Sequence, residues 1–413
     1  QAFLQEELAL HLARKLHDPH LLALTLSELG KTYVANHQYE VAADYLTQAS
    51  EIAEAQPFRA LSAAIQNDLG IVLALQGRLE DALTAFRKCA VSSKQGGLTS
   101  LFIRARVNEA RMSIQLAQFD AVAPAFDEAS ERLAEGGPSY EKAEGLVNLA
   151  LGYRDLALAH SPSYASALTR SAALLQEAAG MAQYPADARL ASYAFGHLGH
   201  LYEIERRFDE ALQLTRRAVF TAQSARAPES LYRWQWQSGR VLNQLGQLDD
   251  ALSAYQEAAL TLHPIRREVT FATQTTPDQH QPSVRALYFE LADLLLRRAA
   301  LMRDNREAEP YLRAARDVIE AFKAAELRHY FRDDCVDQMQ ARITKLDVLS
   351  PSTAIVYPII FSDRTELLVS LPDGLTRHSI PVTATTLTEE VRRFRHMLEH
   401  VNTCLMPSNC MTG

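Results

Sequence analysis

The sequence predicts a mainly α-helical protein: a solenoid of packed helix pairs over most of the chain, followed by a small, incomplete α/β segment. Three observations predict it. A Leu-Gly pair recurs at Leu29-Gly30, Leu69-Gly70 and Leu198-Gly199, each opening the same pattern of small and large residues. Alanine and leucine dominate the apolar positions while β-branched residues are sparse, a composition that suits close-packed helices better than sheets. From Thr353 the text changes to TAIVYPIIFSDRTELLVSLPDGLTRHSIPV, where Ile and Val crowd between turn residues. At 413 residues the chain is also too long for one compact core, which favours an array or several domains.

The array occupies residues 1–262. Its front, Glu7 to His17, reads as a second helix whose first helix is missing, so the chain is expected to begin mid-repeat, with a clipped or excerpted N-terminus. The first full repeat places Leu29, Gly30 and Tyr33 on a helix A and Ala42, Leu46 and Ala49 on a helix B. The second places Leu69, Gly70, Leu73, Ala82, Phe86 and Cys89 about forty residues further on. In the third and fourth, Ala110 and Ala150 stand where the glycine was. Val122, Phe126 and Ala129 complete helix B of the third; Leu149 and Tyr153 belong to helix A of the fourth, where an insertion at Ser161 to Ser166 delays Leu175 and Ala178. The fifth carries Leu198, Gly199, Tyr202, Ala211 and Ala218, and the sixth Gly239, Leu242, Ala251, Tyr255 and Ala258. Small residues are expected to let helices A and B approach, and large ones to wedge between neighbouring repeats.

At these residues, over about 5–262, the sequence resembles the tetratricopeptide (TPR) family, whose unit is roughly 34 residues with a Leu-Gly, Tyr, Ala, Phe, Ala signature. The resemblance implies a protein-binding solenoid whose concave groove is lined by helix A positions two, five, nine and twelve. Carried onto this chain, those positions give Arg104 and Arg111 in repeat three, Arg154 in repeat four, and Arg233, Trp236, Arg240 and Asn243 in repeat six. Residues seven apart share a helix face, so Arg104 with Arg111, and Arg233 with Arg240, point the same way. An acidic or carboxylate-bearing protein or peptide would suit such a groove; the alternative is that these arginines pair with neighbouring acids or are solvated.

Residues 263–283 gather Thr, Gln and Pro and read as a loop, after which helical pattern returns at 284–302 and 308–348 as a closing repeat and connecting helix. Within 350–402, three antiparallel strands are expected, punctuated at Ser362-Asp363 and Pro372-Asp373-Gly374. A helix over Thr386 to Val401 follows, with Thr386 as its N-cap, and then a tail over 403–413. Three strands and one helix offer little surface with which to bury a two-sided sheet. The run AFKAAELRHYFRDDCV, then YPIIFSDRTELLVSLPDG and an Arg-rich helix, over about 315–402, resembles the beginning of a CHAT domain. That family is similar to caspases, and its members are cysteine peptidases with a His and Cys dyad on later strands. No His-Gly strand end or Ser-Ala-Cys segment follows residue 350, so the resemblance implies a non-catalytic, regulatory front of a TPR and CHAT protein, itself without peptidase activity. A plain adaptor is the alternative.

Other chemistry is weak. His396-Met397-Leu398-Glu399-His400 matches an H-x-x-E-H zinc string, with Cys404 continuing its face, but no dependable further carboxylate ligand follows. Gly30-Lys31-Thr32 lacks the upstream glycine of a phosphate loop, and groove lining accounts for His197, His200 and Glu203. Cys335 lies beside two acids, Cys404 and Cys410 lie in a polar tail, and none of the four cysteines forms a C-x-x-C pair. No cofactor or metal is expected. The net charge of −8 opposes a nucleic-acid ligand. With no apolar run long enough to span a membrane, a soluble, cytoplasmic protein is expected, part of a larger complex.

Overall fold

The computed structural model describes residues 2–159, 164–182, 187–266, 269, 283–331, 354–371 and 374–404. The chain divides into two compact units, Gln1–Ser283 and Val284–Gly413. Cys335, Cys410, most of the 263–283 loop and the helix expected beyond residue 331 lie outside the described residues.

The first unit is a TPR-like α-solenoid. Helix α1 (Ala2–Leu16) precedes six A/B pairs among the described residues: α2 (Pro19–Ala35) with α3 (Tyr39–Glu54), α4 (Arg59–Leu75) with α5 (Leu79–Gly96), α6 (Thr99–Gln115) with α7 (Val122–Ala134), α8 (Tyr140–Leu158) with α9 (Tyr164–Met181), α10 (Ala188–Ile204) with α11 (Phe208–Ser224), and α12 (Pro228–Gln244) with α13 (Leu248–Leu262). Five of the A-to-B turns follow one recipe. A residue in the left-handed region, His37, Gly77, Ala117, Arg206 or Gly246, ends helix A. The next amide then bonds back across the last turn, as in Gln38 N to Tyr33 O and Arg78 N to Leu73 O. This is the Schellman arrangement, which satisfies carbonyls the helix end would orphan.

The glycines of the repeat explain the packing within a pair. A Cβ on Gly30 would stand 2.7 Å from Leu46 Cγ, on Gly70 2.7 Å from Phe86 Cε1, and on Gly239 2.4 Å from Tyr255 Cδ2. Leu46, Phe86 and Tyr255 are buried against the glycine of their own repeat instead of wedging between neighbours. The fourth repeat differs. On α8 the close approaches are made by Gly145, against Leu133 and Ile103, and by Gly152, against Phe126 and Val107; Ala150 receives a hydrogen bond from Ser171 at its carbonyl. Helix α8 therefore lies directly on helices α6 and α7 of the preceding repeat, and the small residues it needs fall outside the periodic position.

The second unit combines α14 (Val284–Ala300) and α15 (Asn305–Phe331) with the antiparallel sheet β1 (Ile355–Ile360), β2 (Thr365–Leu371), β3 (Gly374–Ile380), in that spatial order, and with α16 (Ala384–Cys404). The helix pair expected to close the array and the sheet expected behind it form one compact unit. One sheet face, with Ile359, Leu368 and Leu375, is buried, and Phe361 beside it meets Phe289 edge to face at 6.0 Å. In that face sits Glu366, 0% exposed, accepting from Arg364 Nε at 2.6 Å, Arg377 Nη2 at 2.6 Å and Ser379 Oγ at 3.2 Å. Arg364 reaches on to Asp293 and Arg377 donates to Leu296 O, so the buried carboxylate fastens the sheet to α14. Helix α16 begins earlier than expected: Thr383 is its cap, accepting from Thr386 N at 3.2 Å, and Thr386 lies in the first turn.

Candidate functional site

The A helices of the first unit are tied to one another by charge. Lys31 on α2 lies 3.6 Å from Asp68 on α4; Arg104 on α6 lies 3.7 Å from Glu144 on α8. Arg111 and Asp155 join α6 to α8 at 2.8 Å. Arg189 and Glu229 join α10 to α12 at 3.3 Å, and Arg240 grips Glu203 with two donors at 2.8 and 2.9 Å across the same pair. The partners stand 37 to 44 residues apart, close to the repeat step, because equivalent positions of successive A helices are neighbours in the stack.

This lattice fixes the fate of each predicted groove residue. Arg104 is half exposed and pairs with Glu144. Arg111 and Arg154 are 9% and 3% exposed and converge on Asp155, Arg154 Nη2 at 2.7 Å, so both serve the junction of α6 and α8. Trp236, expected to line the groove, is 3% exposed, with the Arg240 guanidinium 5.3 Å from its ring. Asn243 is partly buried at the end of α12, where its carbonyl accepts from Gly246. Arg233 is half-buried over the Tyr232 ring at 5.8 Å. Its Nε is buried with no hydrogen-bond partner.

Asp155, Tyr193 and Trp234 also shape these helices, at positions outside the predicted groove set. Trp234 lies where a Cβ on Gly196 would meet its indole at 2.3 Å, and its Nε1 donates to Ser192 Oγ at 3.0 Å. A search for acids one repeat step from each arginine is the signal that finds Asp155. His200 stands amid the lattice. Loss of hydration, then the charges of Arg154 and Arg240, push its imidazole down to about 3, with Glu203 opposing. It is neutral near pH 7.

Glu399 of the zinc string is held by Arg395 at 2.8 Å on an exposed stretch of α16, while the side chains of His400 and Cys404 lie outside the described residues. Burial pushes the Cys89 thiol up to about 11, which makes it a poor nucleophile. No described helix is long and apolar enough to cross a membrane.

One family model matches the front of the array. Residues 21–90 match the tetratricopeptide repeat family. The fold of the first unit is TPR-like. Among solved structures, the chain is similar to BtubC from P. vanneervenii, at 18% identity over 60% of this chain and 94% of that one, with a TM-score of 0.43. A thermophilic TPR protein of Thermus thermophilus shares 18% identity over 51% and 98% of the two chains, with a TM-score of 0.36. The apo form of RapI shares 15% over 78% and 85%, with a TM-score of 0.47. No curated protein matches the chain.

Proposed function

We propose that the chain is a protein-binding module that holds a protein or peptide partner on the A-helix face of its first unit, through Arg233 and Arg240 above all. The observation that carries this is the lattice itself. Ion pairs one repeat apart hold α6 to α8 and α10 to α12 in register, so the side chains of each pair make a pre-organised polar patch. Within it, Arg111 and Arg154 are supports beneath the surface, while Arg104, Arg233 and Arg240 reach its outer layer. An acidic partner fits.

The test is capture of a partner from the native host by the immobilised chain. Reversing Arg233 and Arg240 to Glu is expected to lose the captured protein with helical content unchanged, whereas Leu260→Ser, at a side chain 74% exposed on helix B, is expected to keep it. The opposite pattern moves the site to the B helices. The finer reading, that this binding event regulates a caspase-like CHAT peptidase, is supported by the resemblance over 315–402 and by three antiparallel strands followed by an Arg-bearing helix in that order. Under it, peptidase assays on this chain are blank. The adaptor reading predicts the same blank, and a His-Gly strand and a Cys-bearing strand encoded downstream separate the two.

A further inference from the structure

We propose that α16 is a self-association helix, which pairs in parallel with α16 of a second copy of the chain along a seam of Leu387, Val391, Phe394 and Leu398. This surface belongs to the second unit and is independent of the A-helix face. The four residues follow one another at steps of four, three and four, which on an α-helix confines them to a stripe about 60° wide. The stripe is open. Val391, Phe394 and Leu398 are 57%, 59% and 51% exposed, and every residue from Thr388 to Glu399 is exposed. A contiguous apolar stripe left in water marks a surface that another element covers.

Spacing and charge identify the cover as a second α16. The spacing is the heptad of a two-stranded coiled coil, with Val391 and Leu398 at the a positions and Leu387 and Phe394 at d. Glu390 and Arg395 then occupy g and e, on opposite flanks of the stripe. In a parallel pair, g faces the e position five residues further along the other helix, so Glu390 of each copy meets Arg395 of the other and two ion pairs close over the seam. An antiparallel pair sets g against g and e against e, and there no acid meets a cation. Within its own helix Glu390 lies 2.7 Å from Arg393, and Arg395 lies 2.8 Å from Glu399, at side chains exposed enough for both groups to reach a partner. The chain's own sheet is a poorer cover. Its outer face leaves Val356, Ile360, Leu371 and Ile380 exposed, but among the described residues the strand register puts no Asp, Glu, Lys or Arg on that face to answer Glu390 and Arg395. Two heptads make a small interface, so the association is weak and depends on concentration.

Sedimentation equilibrium of the full chain across the micromolar range is expected to show a reversible equilibrium between monomer and dimer. Phe394→Glu is expected to weaken the dimer about tenfold or more, and Glu390→Arg or Arg395→Glu alone severalfold. Circular dichroism is expected to stay unchanged in all three, because each replaced side chain is exposed. Mixing the Glu390→Arg and Arg395→Glu chains in equal amounts sets opposite charges against each other on both flanks, and is expected to return association to the wild-type level. A monomer at every concentration overturns the pairing, as does a dimer that Phe394→Glu leaves untouched. A dimer that Phe394→Glu weakens, but that is indifferent to the charge variants or stays weak when they are mixed, overturns the parallel arrangement.

Discussion

At the scale of single residues, the arginines of the A-helix face divide by what lies one repeat away. Arg111 and Arg154 sit where Asp155 is within reach, and burial makes that carboxylate necessary to both: taking it away would strand guanidinium charge out of water, a cost of about 3–5 kcal/mol. Arg104 and Glu144 are half exposed, so their pair is worth about 1 kcal/mol at most. His200 yields a pH dependence. Its pKa falls from 6.5 to about 3 on folding, so the unfolded chain takes up a proton that the native chain refuses. The stability it confers is present above about 6.5 and is lost as the pH falls from there toward 3, with a slope of up to about 1.4 kcal/mol per unit. Denaturant melts of the wild type and of His200→Gln between pH 7 and 4 check this: the variant is expected to lose that part of the slope. An unchanged slope would place the titration elsewhere.

At the scale of the elements, the A-to-B turns show one backbone solution met by different side chains. Gly77 and Gly246 accept the left-handed conformation without a Cβ penalty, whereas Ala117 adopts it at a φ of 56°. Ala117→Gly is therefore expected to stabilise the protein by about 0.5–1 kcal/mol, and Gly77→Ala, where nothing lies within 4 Å of an added Cβ, to destabilise it by about 1. Thermal melts of the two variants measure both signs, and two shifts of one sign would contradict the account. The same scale explains why repeats three and four read weakly in the sequence. Once α8 packs on α6 and α7 of the preceding repeat, its small residues must face Ile103, Val107, Phe126 and Leu133, and Gly145 and Gly152 are placed to do so.

At the scale of the whole molecule, the two units are held by different physics. The first is apolar packing repeated at a fixed step, overlaid by partly hydrated ion pairs. The second joins its sheet to α14 through the buried Glu366. Burial raises its carboxyl, but Arg377 and Arg364 outweigh that and hold it below the ordinary range. Glu366→Ala removes the acceptor that Arg364 and Arg377 share in the buried sheet face, leaving them only Asp293 and the Leu296 carbonyl, and is expected to destabilise the second unit by about 3 kcal/mol. Hydrogen exchange resolved by segment should then quicken across β1, β2 and β3 while α10 to α13 keep their protection. Uniform loss of protection through both units would show that they unfold as one. The outer sheet face and α16 leave Val356, Phe394 and Leu398 exposed, with Phe394 at 59%.

The sequence alone determined the repeat step, the roles of helices A and B, the recurring glycines that let them approach, and the three strands and helix behind the array. All of these are written in local pattern or in a period that repeats along the chain. The tertiary structure alone decided which charges are spent. Whether an arginine meets an acid across the A helices turns on an offset of 37 to 44 residues, set by turn lengths and by the displaced packing of α8, and helix periodicity carries no record of that offset. The same reason hid the fastening of the sheet to α14 through Arg364 and Asp293, 71 residues apart.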